Sequence, residues 1–247
     1  MSVRLYTLGR LALERDGAEV SGDAAQPRRL ALMALLAAAP DGLTRDKVIG
    51  FLWAEQRSAR AILNESVFVL RSVLGKPAIR TVGEILRLDP LEVWTDVRVF
   101  QERMVAGALH EAVELYRGPF LDGFYVRGTA EFEQWVGREQ DRLRREYGRA
   151  LEALAERAAA AGAAASAAEW WRRIAEHEEF SVRVAFRYVE ALVQAGEPVL
   201  ALRYAAAFTE RMTKEMGVEP EGSVLEHARA LASKAPPPAG SARFRAE

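Results

Sequence analysis

The stretch between Ser58 and Gly75 carries side chains suited to reading the edges of base pairs. At 100° per residue, one helix face collects the apolar residues Leu63, Val67, Leu70 and Leu74, which form a core stripe. The opposite face collects Ala61, Asn64, Glu65, Phe68 and Ser72. In a DNA major groove, Asn64 would bind adenine in bidentate fashion, Glu65 would accept from cytosine N4 and Phe68 would contact a thymine methyl. Packing of Phe68 on a neighbouring hairpin or on a second domain is the alternative.

Five arginines surround this face: Arg45, Arg60, Arg71, Arg80 and Arg87. Arg60 and Arg71 flank the face itself and would hold phosphates. Arg45 stands near the start of another predicted helix, where the helix dipole also favours an anion. For Arg45, Arg80 and Arg87 taken singly, a solvated surface charge is the better interpretation, so the prediction of a nucleic-acid interface rests on their joint placement.

The elements around this helix follow the order strands, three helices, hairpin. Residues 3–15 predict two short strands, or one strand with a bend, followed by a turn at Asp16-Gly17. Pro27 suits the first turn of a helix, Thr44 is an N-cap candidate for a helix over 45–52, and Ser58 for the third helix. Residues 78–88 read as a hairpin with Gly83 near its turn. This order predicts a winged helix-turn-helix domain over residues 1–90.

From residue 91 onward the pattern predicts helices only. Three similar segments begin at Gly107, Gly162 and Gly196, and each has an alanine five residues later and then an aromatic residue. The last two are 34 residues apart, the period of tetratricopeptide repeats (TPR). The predicted fold is therefore mainly α: an N-terminal winged helix (α+β), then an all-helical, TPR-like domain over 91–234. The Pro- and Ala-rich residues 235–247 predict a disordered tail or a linker.

Composition excludes several classes of protein and site. The chain has 247 residues, no cysteine and only three histidines, which are far apart. Disulfides, thiolate nucleophiles and cysteine-ligated zinc are thus excluded. No apolar run approaches a membrane span, and no signal-type leader opens the chain. Motifs for nucleotide cofactors or catalytic metal are missing from the sequence. We therefore expect a cytoplasmic, non-enzymatic binding protein without a cofactor, a metal site or a membrane partner.

Several short motifs resemble one known family. They are Arg29-Leu30-Ala31-Leu32, Leu52-Trp53, Ala59-Arg60, Leu70-Arg71, Leu74-Gly75, Trp94-Thr95-Asp96-Val97 with Phe100, Leu115-Tyr116-Arg117-Gly118-Pro119-Phe120-Leu121, Glu131-Phe132 with Trp135, and Glu215-Met216-Gly217-Val218-Glu219-Pro220. Together with the order of elements, they resemble the SARP/BTAD transcriptional activators, an OmpR-type winged helix followed by a bacterial transcriptional activator domain. The resemblance spans about residues 3–232.

The resemblance implies a sequence-specific activator that binds double-stranded DNA and contacts RNA polymerase, including its sigma subunit. The third helix is less basic than is usual in the family, with Asn64, Glu65, Val69 and Ser72 where Arg or Gln often stand. Fewer phosphate contacts weaken binding, so a homodimer or the polymerase would help to hold the protein on DNA. The alternative is a protein-interaction adaptor, with a TPR-like groove and a winged helix that does not bind DNA.

Overall fold

The computed structural model describes residues 2–217 and 223–234. Its strands are β1 (Val3–Tyr6), β2 (Ala12–Arg15), β3 (Ala18–Glu19), β4 (Leu43–Thr44), β5 (Ile79–Val82), β6 (Ile85–Leu88) and β7 (Val93–Thr95). Its α-helices are α1 (Pro27–Ala37), α2 (Arg45–Trp53), α3 (Ala59–Leu74), α4 (Asp96–Val105), α5 (Leu109–Leu115), α6 (Ala130–Ala160), α7 (Ala164–His177), α8 (Val182–Gln194), α9 (Pro198–Arg211) and α10 (Val224–Ala232). Within the described residues, no helix is long and apolar enough to cross a membrane.

The chain forms two compact units, with their limit between Tyr147 and Gly148. The limit predicted near residue 90 falls inside the first unit, and the domain ranges 1–90 and 91–234 stay predictions. The predicted tail 235–247 and the end of the Glu215–Pro220 motif lie outside the described residues.

The winged helix-turn-helix prediction is confirmed. Helices α1, α2 and α3 are followed by the hairpin β5–β6, and β4 extends this hairpin into a three-stranded sheet in the order β4-β6-β5. The Thr44 side chain caps α2 by accepting from the backbone N–H of Lys47 at 3.3 Å. Ser58 occupies the N-cap position of α3, but its side chain makes no capping bond. Gly42 has φ +82°, and a Cβ there would lie 2.5 Å from the Leu86 carbonyl oxygen, so only glycine fits this approach to β6.

The N-terminal sheet contains a strand that the sequence did not predict. Its order is β3-β2-β1-β7, and β7 runs parallel to β1, with Val3 opposite Val93 and Leu5 opposite Thr95. The prediction of helices only after residue 91 is therefore wrong for Val93–Thr95. A strand of three residues is too short to show alternation, and its partner lies some 90 residues away in the sequence.

Strand β1 leads into what we call the Asp96 junction, made by residues 7–9, Asp96 and residues 119–122. The Asp96 carboxylate accepts from the backbone N–H groups of Thr7 and Leu8 and from the Thr7 hydroxyl, at 2.7 to 2.9 Å. Burial raises the pKa of Asp96, although these hydrogen bonds act in the opposite direction.

Residues 119–122 complete the junction by backbone pairing. Gly9 donates to the Pro119 carbonyl at 3.0 Å, Leu121 to Thr7 at 2.8 Å and Asp122 to Gly9 at 2.9 Å. The junction joins the segment after α5 to the N-terminal sheet, which explains why the first compact unit extends beyond the winged helix.

The second unit is made of paired helices. Helix α7 packs on α8, α8 on α9, and α10 on both α8 and α9. Gly162 and Gly196 have φ values of +73° and +82°, and the alanines five residues later, Ala167 and Ala201, are buried. Because a glycine turn and a small buried residue recur at the 34-residue spacing, the predicted helical repeat is confirmed. Trp171, on α7, is also buried and therefore contributes to the packing between the helices of this unit.

Candidate nucleic-acid interface

The sequence placed the two faces of α3 correctly. Leu63, Ser66, Val67, Leu70 and Leu74 are buried. Asn64, Glu65 and Ser72 are exposed, and Phe68 is 71% exposed. Packing of Phe68 on the hairpin is excluded by this exposure. A phenyl ring left in solvent on a helix with a good core stripe forms an apolar contact surface available to a ligand.

The exposed face lines a shallow cavity of about 420 Å³, which we call the α3 groove. Its lining residues are Arg45, Asn64, Val67, Phe68, Arg71, Ser72 and Lys76. Five predicted site residues are thus brought together, whereas Val67 and Lys76 were not predicted. Lys76 lies directly after Gly75, and its position just beyond the end of α3 is the signal that could have identified it.

Arg45 and Asn64 contact each other across the groove. Arg45 Nη1 donates to Asn64 Oδ1 at 2.7 Å. An amide oxygen has two lone pairs and an amide nitrogen two hydrogens, so Asn64 keeps one acceptor site and both donors. The pair therefore holds the amide in place while it can still bind adenine by two hydrogen bonds.

Arg71 ties α3 to the hairpin. Its Nε and Nη2 donate to the Ile79 carbonyl at 3.0 and 2.7 Å, and Nη2 also donates to Thr81 Oγ1 at 2.8 Å. These bonds leave Nη1 unused, and the residue lines the groove. Arg71 thus positions β5 against α3, a contact the sequence did not predict, and still has N–H donors to offer in the groove.

Arg60 is engaged by two carboxylates at the other end of the helix. Its Nη2 lies 3.0 Å from Asp46 Oδ1 and 3.1 Å from Glu84 Oε2. The hydrogen bond to Asp46 and the charge of Glu84 raise the pKa of Arg60. All three side chains are well exposed, so salt screens the pairs strongly. The local positive charge at this end is neutralised by the protein itself.

The remaining predicted residues also have partners or partial burial. Arg80, about half exposed, pairs with the buried Asp89, whereas Arg87 is half-buried with its Nε shielded from solvent. Glu65 lies 3.5 Å from Arg29, and the Ser72 hydroxyl donates to the Val69 carbonyl at 2.7 Å. The two hairpin arginines are thus partly engaged in contacts or burial within the protein. The Ser72 hydroxyl has used its hydrogen and can only accept a further hydrogen bond.

No cluster of three or more His, Asp or Glu side chains that could hold a metal ion occurs within residues 2–217 and 223–234.

Comparison with known proteins identifies the class of this chain. The family model of the bacterial transcriptional activator domain (BTAD) matches residues 98–231. Among solved structures, Mycobacterium tuberculosis EmbR in complex with a low-affinity phosphopeptide matches with a TM-score of 0.62 and 19% identity, covering 95% of this chain. The chain spans 66% of the EmbR chain, and the likeness is one of fold. No curated protein matches the sequence significantly. Because the family model covers more than half of the residues, the chain belongs to the SARP/BTAD family of transcriptional regulators.

Proposed function

We propose that this regulator is a sequence-specific, DNA-binding transcriptional activator. The observation that carries the proposal is the α3 groove, whose lining combines the amide of Asn64 and the exposed ring of Phe68 with the side chains of Arg45 and Arg71. An amide and an apolar ring flanked by cations match the requirements of base reading between two phosphate strands.

Each groove residue has a distinct role in this proposal. Asn64 binds adenine, Phe68 contacts a thymine methyl, and Glu65 at the edge of the face accepts from cytosine N4. Arg45, Arg71 and Lys76 hold phosphates, and the N-terminus of α2 adds its dipole beside Arg45. Arg80 and Arg87 follow the backbone from the hairpin, and Arg60 joins them when DNA competes with Asp46 and Glu84. Ser72 accepts a bond from a base amino group.

Activation proceeds by recruitment. The winged helix holds the promoter, and the helical region presents a surface to RNA polymerase and its sigma subunit, as the family resemblance implies. Assembly of a homodimer on DNA would double the number of phosphate contacts and compensate for the neutralised Arg60 and Arg80. The setting is the cytoplasm, where chromosome and polymerase are accessible, and no membrane or cofactor takes part.

The test is selection of genomic DNA fragments by the purified protein, followed by sequencing and a salt titration of the enriched fragments. We expect one repeated motif and a steep loss of affinity with salt. If the groove cations Arg45, Arg71 and Lys76 each neutralise one phosphate, they contribute about −3 per protomer to the slope of log affinity against log salt. Fragment recovery without a common motif would contradict sequence-specific recognition.

The adaptor is the second candidate, and one observation favours it. Arg60 and Arg80 are already paired with carboxylates of the protein, which lowers the positive charge available to DNA. An adaptor would bind protein through its helical repeats and use the winged helix only for docking. Absence of duplex binding even at low salt would favour this candidate over the activator.

A further inference from the structure

Arg29, in the first turn of α1, carries a guanidinium group that is almost fully buried. Its side chain is 9% exposed. The first turn of α1 contains no acidic residue, and the positive end of the helix dipole disfavours a cation there. Burial adds the cost of removing the charge from water. The fold therefore keeps Arg29 at a position where a cation is costly, and its contacts indicate what it serves.

Two contacts hold the guanidinium group of Arg29. Its Nη1 donates to the carbonyl of Asp23 at 2.7 Å, in the short 3₁₀ helix Gly22–Ala25 that precedes α1. Its Nη2 lies 3.5 Å from Oε1 of Glu65, on α3. Within residues 2–217 and 223–234, Glu65 is the one acidic side chain that pairs with Arg29. The charge of Arg29 is thus directed at Glu65.

Glu65 joins this buried cation to the exposed face of α3. Its side chain is 69% exposed, and the helical period places it on the same face as Asn64, Phe68 and Ser72. Arg29 engages only Oε1 of Glu65, and Oε2 makes no hydrogen bond within the described part of the chain. Glu65 therefore has one oxygen oriented from inside the protein and a second oxygen available to a ligand at the surface.

A carboxylate on a DNA-binding face needs such a cation. Phosphates repel it, and it loses hydration when it enters a groove. The cations of the α3 groove, Arg45, Arg71 and Lys76, line a cavity that does not include Glu65. Arg29 offsets the charge of Glu65 from the protein side, and its burial leaves it little surface with which to bind a phosphate itself. The pair thus presents an acceptor to a base with much of its negative charge offset.

The chemistry of the base edges decides which base such an acceptor fits. In the major groove, cytosine presents the N4 amino donor, whereas guanine presents the acceptors N7 and O6 and thymine presents the acceptor O4. Adenine has a donor at N6 beside an acceptor at N7, and this acceptor would repel a carboxylate. An oriented carboxylate therefore favours cytosine over the other three bases.

We propose that Arg29 is a positioning residue for base recognition, which orients the Glu65 carboxylate toward the N4 amino group of one cytosine without touching DNA itself. The inference rests on the proposed function, because it needs α3 to lie in a major groove. Arg29 acts from α1, so the base preference of α3 depends on a residue outside that helix.

The first test measures base preference with the full chain, on duplexes in which each base pair of the selected site is replaced in turn. Glu65→Ala should reduce the preference for one C·G pair about tenfold. Arg29→Met, which keeps the length of the side chain and removes its charge, should reduce the preference at the same pair about threefold or more. Arg29→Lys retains the charge and should recover part of this preference. Equal loss of affinity on every duplex for Arg29→Met would overturn the proposal.

Arg28→Met is the matched control. Arg28 precedes Arg29 on α1, and its Nε and Nη2 donate to the carbonyls of Leu52 and Arg127 at 3.1 and 3.2 Å. Because these partners are carbonyls and not carboxylates, Arg28→Met should lower Tm, as Arg29→Met does, and leave every base preference unchanged. If Arg28→Met relaxes the same C·G pair, a general disturbance of α1 explains the effect and the proposal fails.

A double-mutant cycle without DNA tests the pair itself. Glu65→Ala should lower Tm by about 2–4 °C in the wild-type protein and by less than about 1 °C in Arg29→Met, because a buried cation loses its partner only in the first case. Equal changes in both backgrounds would overturn the pairing.

The two tests together separate this inference from the proposed function. If Glu65→Ala relaxes one base pair and Arg29→Met relaxes none, the inference fails and the proposed function stands. If the protein selects no DNA motif, the proposed function fails, and a coupled change of Tm then assigns the pair to the fold alone, so the inference fails with it.

Discussion

The Asp96 junction and the α3 groove belong to the same compact unit, yet they use polar groups in opposite ways. At the junction, a buried carboxylate and a run of backbone pairs satisfy one another at 2.7 to 3.0 Å. Along the groove, an amide and a phenyl ring remain exposed, and the arginines keep only part of their donors free. The recognisable motifs Trp94–Val97 and Leu115–Leu121 lie at the junction, so they maintain the fold, while the groove carries the features that set specificity.

Mutations at the junction should therefore change the stability of the fold, and we expect the largest change at the Asp96 carboxylate. Asp96→Ala leaves the backbone N–H groups of Thr7, Leu8 and Val97 and the Thr7 hydroxyl without their carboxylate acceptor. We expect a loss on the order of 3 kcal/mol or more in the free energy of unfolding, measured by urea denaturation. Asp122→Ala is the control, since Asp122 contributes its backbone to the junction and its side chain is exposed. A similar loss in both variants would contradict the role of the Asp96 carboxylate.

Arg71 has both a structural contact and a place in the binding surface, because it bonds β5 and lines the α3 groove. Arg71→Ala should lower Tm and weaken binding to all DNA sequences by about tenfold, as the hairpin loses its tie to α3 and a phosphate loses its partner. The salt slope should become shallower by about 1. Arg203→Ala on α9 removes an exposed arginine in the second unit and serves as the charge-matched control. An unchanged salt slope in Arg71→Ala would mean that Arg71 only supports the hairpin.

Backbone packing at the junction gives a smaller effect. A Cβ at Gly118 would lie 3.3 Å from the Gly9 Cα, so Gly118→Ala forces the paired segments apart and should cost about 1–2 kcal/mol in unfolding free energy. Gly137→Ala, in α6 with open space around it, should instead stabilise by up to about 1 kcal/mol. Changes of opposite sign in the unfolding free energy would show that Gly118 is needed for the close backbone approach to Gly9. If both variants are stabilised, the backbone pairing at the junction tolerates a methyl group.

The smallest expected effect concerns Phe68. Because its ring is 71% exposed, Phe68→Ala should leave Tm unchanged. Loss of one methyl contact should weaken binding to the selected DNA site by about 1 kcal/mol. Val105→Ala, at a position that is 92% exposed on α4, is the apolar control and should change neither quantity. A drop in Tm for Phe68→Ala with unchanged DNA affinity would assign the ring to the fold.

Local signals in the sequence predicted much of this fold. Pro27, Thr44 and Gly75 stand at the helix ends expected of them, and the helical period separated the two faces of α3. The parallel pairing of β7 with β1 and the docking of residues 119–122 on residues 7–9 were not predicted, because they join segments some 90 to 110 residues apart. Local periodicity carries no information about such contacts.

The candidate site was predicted as a set of residues, and its internal bonds were not. The sequence indicated which side chains would face outward, and five of them share the groove. It did not reveal that Asp46 and Glu84 engage Arg60 or that Arg71 bonds the Ile79 carbonyl, since these partners come from other elements. Charge counted along a helix therefore overestimated the charge that the folded surface offers to DNA.

The most direct test of the account is the effect of Asn64→Ala on recognition of the selected DNA site, measured by titration of a set of duplexes in which each base pair is replaced in turn. We expect the preference to relax by about 1–3 kcal/mol at one A·T pair and to stay unchanged at all other positions, because the Asn64 amide reads a single adenine. An equal loss of affinity on every duplex would contradict base reading by the α3 groove and leave Asn64 as a partner of Arg45 only.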